Sequence, residues 1–189
     1  MTRAGDAVRA GDVPEWHADP VSTRRLVLLR HAKAEHPDGI PDHERPLALA
    51  GRRQCPLVGA AMAEAGVAPD LVWCSSAVRT RQTWELVRGA LGLEPPVEYR
   101  GEVYDAGVRS LLSLVASAPA AVRTLVVVGH EPTMSHAAAT LAGPGSDEAA
   151  VARVQVGVPT ASWAWLELDG AWADLQPRAA RLLRLVTAS

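Results

Sequence analysis

Four branched apolar residues, at positions 26–29, are followed directly by Arg30 and His31. An uninterrupted apolar run of this kind is typical of a strand that is buried on both faces, as in the parallel sheet of an α/β protein. Ligands of open α/β sheets bind beyond the carboxyl ends of the strands. The sequence therefore places a cation and an imidazole where the chemistry of such a fold is expected.

Two later apolar runs end in the same way. One covers residues 71–74 and is followed, after a short turn, by Arg79. The other covers residues 125–128 and is followed by a glycine and His130. A parallel sheet would bring both ends to the arginine and histidine of the first strand. Guanidinium groups bind phosphate oxygens in pairs, so a pocket with two arginines and two histidines favours a phosphoryl group over a cation.

Together these three motifs resemble those of the histidine phosphatase superfamily, whose fold is also called phosphoglycerate mutase-like. The similar residues are Arg30 with His31, the stretch SSAVRTRQT at residues 75–83 and the stretch VGHEP at residues 128–132. The similarity extends over about residues 24–176, nearly the whole chain. The resemblance implies an α/β fold, a three-layer α/β/α sandwich with a mostly parallel central sheet and an antiparallel hairpin at its edge.

Within this superfamily the chain is most similar to the SixA-like branch of protein phosphohistidine phosphatases. The short chain, the stretch RHAKAE at residues 30–35 and the stretch VYDA at residues 103–106 carry this similarity. The resemblance therefore implies a phosphorylated protein as the partner of the site.

Residue chemistry and the resemblance agree on the roles of the four side chains. His31 is expected to take the phosphoryl group onto a ring nitrogen and to pass it to water, because a neutral imidazole is nucleophilic at physiological pH. Arg30, Arg79 and His130 are expected to bind the phosphate and to stabilise the charge on its oxygens during transfer. This mechanism needs no metal and no other cofactor.

The leaving group separates two substrate classes. An ester oxygen needs a proton from an acid, and the mutase and phosphomonoesterase branches resemble one another in supplying a glutamate between the second and third motifs. The carboxylates in that interval are Glu98, Glu102 and Asp105, of which Glu102 is the candidate general acid, although each is also explained as a solvated surface residue. A phosphohistidine can be protonated on its leaving ring beforehand and needs no such acid. We therefore expect a protein phosphohistidine as substrate, with a small phosphate ester as the alternative.

Three positions depart from the family pattern. Ser76 stands where proline is usual, Thr80 where alanine is frequent, and Glu131 where asparagine is common. Glu131 has the largest consequence, because its carboxylate would repel bound phosphate unless it points away or pairs with an arginine. A catalytically idle, phosphate-binding regulatory module is a further alternative. The intact His31 and both arginines argue against it, since a binding module would not need the nucleophile.

Other residues with reactive side chains are interpreted without catalytic roles. His36 and His43 lie in a polar loop, residues 32–45, which leaves the first strand and can form a wall of the pocket. The third motif begins like the zinc motif HExxH, but Met134 occupies the position of the second ligand, so no metal site is expected. Cys74 is expected to be a small core residue beside the site.

Length and composition indicate a single domain with a tail. The chain has 189 residues, of which 48% are hydrophobic, which suffices for one buried core. We expect one histidine phosphatase domain over residues 23–189. Residues 1–22 lack apolar periodicity and are expected to form a flexible arm. Its one tryptophan, Trp16, either docks onto the domain or a partner subunit or has no role.

The net charge and the tryptophan positions indicate which binding partners are expected. A formal net charge of -2 gives no electrostatic reason to expect binding to nucleic acid or to an anionic membrane. Trp163, Trp165 and Trp172 lie close together in the sequence, and core packing explains them as well as a subunit interface does. The oligomeric state therefore stays open.

Cysteine content and hydropathy favour a cytoplasmic protein. The two cysteines, Cys55 and Cys74, form neither a CxxC motif nor a disulfide framework. No apolar run reaches the roughly 18 residues that span a bilayer. Residues 1–20 carry four acidic side chains where a signal peptide would need its apolar region.

The remaining sequence predicts helices around these strands. The helices are expected at about residues 47–65, 77–91, 108–116 and 132–141, with a short strand at residues 97–99. Gly and Pro residues predict a loop over residues 143–157. An Asp-Gly pair at residues 169–170 predicts a two-residue hairpin turn between strands at residues 162–168 and 171–175. Residues 179–186 are expected to form a closing helix or strand.

Overall fold

The computed structural model describes residues 23–188, and the predicted arm of residues 1–22 with Trp16 lies outside them. The strands are β1 (Thr23–Arg30), β2 (Leu71–Ser75), β3 (Val97–Arg100), β4 (Thr124–Gly129), β5 (Ser162–Asp169) and β6 (Ala180–Thr187). The helices are α1 (Leu49–Glu64), α2 (Val78–Leu91), α3 (Gly101–Tyr104), α4 (Val108–Ala116), α5 (Thr133–Leu141) and α6 (Glu148–Val156). Two short 3-10 helices cover Asp42–Glu44 and Trp172–Asp174.

The strands form one mixed sheet in the order β3-β2-β4-β1-β5-β6. The first four are parallel to one another, whereas β5 runs antiparallel to β1 and β6 antiparallel to β5. Arg30 lies opposite Gly129 and Cys74 opposite Val128, so the carboxyl ends of β1, β2 and β4 reach the same edge of the sheet. The predicted α/β fold, with its mostly parallel sheet and antiparallel edge, is confirmed.

Strand β1 packs against helices on both faces of the sheet. Leu26 and Leu28 belong to an apolar cluster with residues of α4, α5 and α6, whereas Val27 and Leu29 belong to a second cluster with residues of α1 and α2. Successive side chains of a strand point to opposite faces, so an all-apolar strand serves two cores at once. This packing produces the three predicted layers and anchors the segment that carries Arg30 and His31.

Most predicted helices are found within a few residues of their expected bounds. Helix α1 continues through Pro56, and Gly66 follows its end with a φ of 72°. Helix α2 ends at Gly92, which has a φ of 73°. Glycine adopts this left-handed conformation without the steric cost that a side chain brings, so both glycines stop their helices as expected. No helix within residues 23–188 is long and apolar enough to cross a membrane.

The loop predicted over residues 143–157 is wrong, because most of it is helix α6. The side chain of Asp147 accepts a hydrogen bond from the Ala150 N–H at 2.7 Å and so caps the first turn. Ala150 and Val154 are buried, which gives this short helix its packing face. The Gly-Pro-Gly sequence forms only the approach to the helix.

The two-residue hairpin predicted at residues 169–170 is also wrong. Strand β5 pairs with β6, and Leu168 lies opposite Ala180, so residues 170–179 form a longer connection. Trp172 is buried within this connection, and its Nε1 donates to the Val122 carbonyl at 2.8 Å. A strand over residues 171–175 would pull this indole out of the core. Residues 179–186 instead supply the edge strand.

The three C-terminal tryptophans are core residues. Trp163 and Trp165 lie in the cluster on the α1 and α2 side of the sheet, whereas Trp172 lies in the other cluster. Each exposes at most 6% of its surface. Core packing therefore explains all three positions.

Candidate active site

A pocket of about 650 Å³ lies at the carboxyl ends of β1, β2 and β4. Arg30, His31, Arg79 and His130 all line it. The three strand ends that the sequence singled out therefore bring these four side chains together. The loop after β1 forms one wall of the pocket, as expected.

The imidazole of His31 is oriented by the backbone next to it. The His31 N–H donates to the Gly129 carbonyl at 3.1 Å, which holds the residue beside the end of β4. The ring Nδ1 lies 2.8 Å from the carbonyl oxygen of Ala32. A carbonyl can only accept a hydrogen bond, so Nδ1 carries the proton and Nε2 keeps its lone pair. Nε2 is thus the nucleophilic atom of this ring.

The electrostatic surroundings keep His31 neutral. Burial, the largest cause, and the positive charges of Arg79, Arg30 and Arg45 together lower its pKa to about 4, against the opposing hydrogen bond to Ala32. Near pH 7 the ring is therefore unprotonated on Nε2. A neutral imidazole surrounded by guanidinium groups suits attack on an anionic phosphoryl group.

His130 is held in the opposite tautomer. Its Nδ1 accepts from Arg79 Nη2 at 3.2 Å, so the proton lies on Nε2, which donates to Ser75 Oγ at 2.7 Å. Burial lowers the His130 pKa to about 3, and the charge of Arg79 and the neighbouring His31 contribute to the shift. The centroids of the two imidazole rings are 5.2 Å apart. The positive charge of the pocket therefore comes from its arginines rather than its histidines.

These lowered pKa values predict that acid destabilises the fold. Between the ordinary value of 6.5 and about 4, His31 binds a proton only in the unfolded chain, so the free energy of unfolding decreases as the pH falls. We expect His31 to contribute a slope of up to about 1.4 kcal/mol per pH unit. Denaturant unfolding of the wild type and of His31→Gln across this window measures the contribution. Equal slopes for the two proteins would contradict it.

The two arginines are anchored by protein oxygens. Arg79 lies in the first turn of α2, is 5% exposed, and donates through Nη1 to the Asp42 carbonyl at 2.5 Å. Arg30 donates through Nη1 to the Val158 carbonyl at 2.7 Å. Within residues 23–188, the buried Nε atoms of both arginines have no hydrogen-bond partner. Both arginines line the pocket, and their guanidinium charges favour an anion there.

Glu131 lines the pocket, but its carboxylate is held by backbone donors. Oε1 accepts from the Val158 N–H at 2.6 Å and Oε2 from the Ser135 N–H at 3.1 Å. Because Arg30 donates to the carbonyl of Val158, the carboxylate and the guanidinium are fixed by one peptide segment. Burial lowers the Arg30 pKa, and the charge of Glu131 opposes this shift. The repulsion expected from Glu131 is thus offset by an arginine and two N–H groups.

The structure adds a group of residues that the sequence pattern did not indicate. The Asp42 carboxylate accepts from Arg45 Nη1 at 2.6 Å, from Tyr104 Oη at 2.9 Å and from Arg79 Nη2 at 2.9 Å. Asp42 and Arg45 line the pocket, and Tyr104 stacks edge-on against His130. These residues come from the loop after β1 and from α3. Two opposite charges in a loop are too common a pattern to single them out beforehand.

The Asp42 carboxylate is ionised at physiological pH. Burial alone would raise its pKa, but the hydrogen bonds from Arg45, Tyr104 and Arg79 outweigh burial and hold the pKa well below its usual range. The pKa of Tyr104 is raised by burial and by the Asp42 charge. Asp42 is therefore an anionic acceptor in the pocket and a poor proton donor.

Residues 36 and 43 are closer to the pocket than their assignment as surface histidines implies. His36 is exposed but lines the pocket mouth next to Arg45. His43 is half-buried, with its Nε2 2.8 Å from Ser76 Oγ. The serine that stands where the family usually has proline thus contacts a loop of the pocket wall.

The carboxylates considered as general acids lie elsewhere. Glu102 is exposed on α3 and is not among the described residues that line the pocket. Glu98 pairs with Arg100 at 2.5 Å, and Asp105 is exposed. Cys74 is buried, as expected, and burial raises its pKa to about 12. Within residues 23–188, no three His, Cys, Asp or Glu side chains are grouped as a metal site requires.

The sequence matches one family model and a mycobacterial relative. The family model described as "Histidine phosphatase superfamily (branch 1)" matches residues 26–105. An uncharacterized protein of Mycobacterium tuberculosis, Rv1276c, is 40% identical over 156 residues, which cover 82% of this chain and 96% of the relative.

Two solved structures resemble most of the chain. A candidate phosphohistidine phosphatase SixA from Nakamurella multipartitia superimposes with a TM-score of 0.79 at 35% identity, covering 90% of this chain and 99% of that one. A second candidate SixA, from Agrobacterium tumefaciens, gives a TM-score of 0.73 at 30% identity, covering 86% of this chain and 97% of that one.

Proposed function

The chain belongs to the histidine phosphatase superfamily, in its SixA-like branch, and on this premise we propose that it is a metal-independent phosphatase for protein phosphohistidine, with His31 as the nucleophile. The observation that carries the proposal is the state of His31. Its ring is neutral, its Nδ1 proton is held by the Ala32 carbonyl, and its Nε2 shares a pocket with Arg30 and Arg79.

The reaction has two steps, each of which transfers a phosphoryl group in line. In the first, the Nε2 lone pair of His31 forms a bond to phosphorus as the bond to the leaving nitrogen breaks, and the leaving ring keeps the electron pair. In the second, a water oxygen attacks phosphorus, the electron pair returns to Nε2, and a water proton goes to solvent. The Nδ1–H held by Ala32 keeps the phosphorylated ring cationic, which makes Nε2 a good leaving group in this step.

Charge stabilisation is supplied by the side chains around His31. Arg30 and Arg79 present guanidinium donors to the phosphoryl oxygens, whereas the one N–H of neutral His130 is donated to Ser75 Oγ and its Nδ1 holds Arg79 in place. Preorganised donors of this kind carry most of the work of phosphoryl transfer. The mechanism therefore needs no metal ion to balance the charge.

The carboxylates of the pocket favour a phosphohistidine over an ester. Asp42 is held in its ionised form by its hydrogen bonds, and Glu131 is engaged by two backbone N–H groups. Glu102 lies outside the pocket lining. An alkoxide leaving group would lack a proton donor here, whereas a protonated imidazole leaves without one.

The substrate assignment is tested by phosphate release from two substrates in the presence of a chelator. One is a histidine-containing phosphotransfer domain phosphorylated with phosphoramidate, and the other is phenyl phosphate. We expect kcat/KM to be at least about 10²-fold higher for the phosphorylated domain, because phenoxide leaves poorly without an acid. Full activity in chelator would support the metal-independent mechanism.

Glu102→Gln provides the control for the rival assignment. We expect it to leave the hydrolysis of both substrates unchanged, since the side chain is exposed and outside the pocket lining. A strong loss confined to phenyl phosphate would make Glu102 a general acid and the chain a small-molecule phosphatase. Binding of phosphate with no turnover of either substrate would support an idle regulatory module.

A further inference from the structure

Among the described residues, two carboxylates line the pocket, and each keeps unused acceptor positions. Glu131 faces backbone N–H groups of Ser135 and Val158 with both oxygens. Asp42 accepts from Arg79 and Tyr104 through Oδ2, whereas Oδ1 accepts from Arg45. A carboxylate offers about four acceptor positions. Asp42 therefore retains a position on Oδ1 for a further donor.

Asp42 lies between the buried part of the pocket and solvent. Its side chain is 53% exposed, while that of its partner Arg79 is 6% exposed. His31 follows the end of β1, is half-buried, and lines the same pocket as Asp42. The pocket thus has a floor at His31 and a mouth at Asp42.

The in-line geometry of phosphoryl transfer determines which part of the substrate lies at the pocket mouth. The attacking and leaving atoms lie on opposite sides of phosphorus, so a leaving group is directed away from His31. A phosphohistidine on a protein is also tethered to a chain outside the pocket. Both constraints send the leaving ring past the Asp42 carboxylate.

The hydrogen bond of His31 indicates which contact the leaving imidazole ring of the substrate requires. Transfer between two imidazoles is nearly symmetric, and the distal nitrogen of His31 donates its proton to the Ala32 carbonyl. The substrate ring likewise needs an acceptor for its distal N–H while phosphorus is bound to the other nitrogen. We propose that Asp42 accepts this N–H and thereby selects phosphohistidine over phosphate esters, an inference that rests on the proposed function.

The proposed contact balances the first step. The ring is a cation while its proximal nitrogen is bonded to phosphorus and its distal nitrogen carries a proton. When the bond to phosphorus breaks, the electron pair stays on the proximal nitrogen and the ring leaves as neutral imidazole. No proton has to move during the step, and the ring is bound to Asp42 by a charge-assisted hydrogen bond until then.

A phosphate ester forms no favourable contact with the Asp42 carboxylate. Its leaving oxygen has no N–H to donate, and an ionised Asp42 has no proton to give. The negative charge also repels the phosphate dianion and competes with it for Arg79. One residue therefore favours the nitrogen-linked substrate and disfavours the oxygen-linked one.

Asp42→Asn tests the inference with the phosphorylated phosphotransfer domain and phenyl phosphate. For the domain we expect kcat/KM to fall about tenfold, the size expected for one half-exposed hydrogen bond to a charged group. The change should appear in KM with kcat nearly unchanged, because the carboxylate binds the ring in the substrate and in the transition state alike. For phenyl phosphate we expect kcat/KM to rise. Opposite changes for the two substrates are the result that supports the proposal.

Three other outcomes would overturn it. An equal loss with both substrates would show that Asp42 only positions Arg79, and an equal gain would show that its carboxylate only competes with phosphate. Unchanged kinetics would show that the ring does not reach it. Glu102→Gln, which removes one negative charge from an exposed site on α3, is the matched control and should alter neither substrate. If the wild type does not hydrolyse the phosphorylated domain at all, the proposed function itself fails.

Discussion

Replacing His31 by alanine is expected to lower kcat for the phosphorylated phosphotransfer domain by at least about 10³-fold, because the variant lacks the atom that accepts the phosphoryl group. Arg30 and Arg79 remain in place, so inorganic phosphate should still bind to the variant. Stopped-flow phosphate release in chelator measures turnover, and titration calorimetry measures binding. Loss of turnover with retention of binding separates a nucleophile from a residue that only shapes the pocket.

Trapping the phosphorylated enzyme tests whether the phosphoryl group is bound to His31. Substrate labelled with ³²P and quenched within the first turnover should leave acid-labile, alkali-stable label on the wild-type chain, as expected for a phosphorylated imidazole. The His31→Ala variant should carry none. His136→Ala, which changes an exposed histidine on α5 outside this pocket, is the control and should label like the wild type. Label on the His31→Ala protein would reject the assignment.

The four predicted side chains could be placed from the sequence because each follows a strand end or begins a helix. An apolar run such as that of β1 predicts a strand buried on both faces, and parallel strands align their carboxyl ends. This rule alone predicts the positions of Arg30 and His31 at the end of β1. The same rule predicts the position of His130 at the end of β4. Arg79 needed the additional prediction that α2 starts directly after β2. Local signals and one topological rule therefore sufficed for the floor of the pocket.

The mouth of the pocket could not be predicted, because it depends on contacts between distant segments. Asp42 meets Tyr104 across a large sequence separation, and both lie in irregular or very short elements without periodicity. The contacts of Glu131 could not be predicted either. The sequence left open whether its charge repels phosphate, points away or pairs with an arginine, and its hydrogen-bond partners are the N–H groups of Ser135 and Val158, which no side-chain pattern reveals.

The two errors in the fold have a related cause. Both arose where turn residues were given more weight than tertiary packing. The Gly-Pro-Gly sequence hid α6, whose stability comes from one capping aspartate and two buried side chains. The Asp-Gly pair indicated a tight hairpin, but burial of Trp172 moved the partner strand to β6. A local preference of about 1 kcal/mol is smaller than the 1.5–3 kcal/mol that burying a large apolar side chain contributes.

Arg79→Lys is expected to reduce kcat/KM for both substrates by about 10²-fold or more, although the charge is conserved. The guanidinium of Arg79 donates through two nitrogens to Asp42 and, through one of them, to His130 Nδ1. It therefore holds the tautomer of His130 and the position of Asp42. A lysine ammonium is a point charge that cannot form this fork.

The neighbouring Arg81 supplies the matched control, since it lies two residues further along α2. Its side chain is exposed, and its guanidinium lies 5.0 Å from the centroid of the Tyr99 ring, outside the pocket lining. Arg81→Lys should keep wild-type kinetics with both substrates. If Arg79→Lys behaves like Arg81→Lys, charge alone is sufficient and the fork geometry has no role. A loss confined to Arg79→Lys would show that the pocket acts through geometry that only a guanidinium provides.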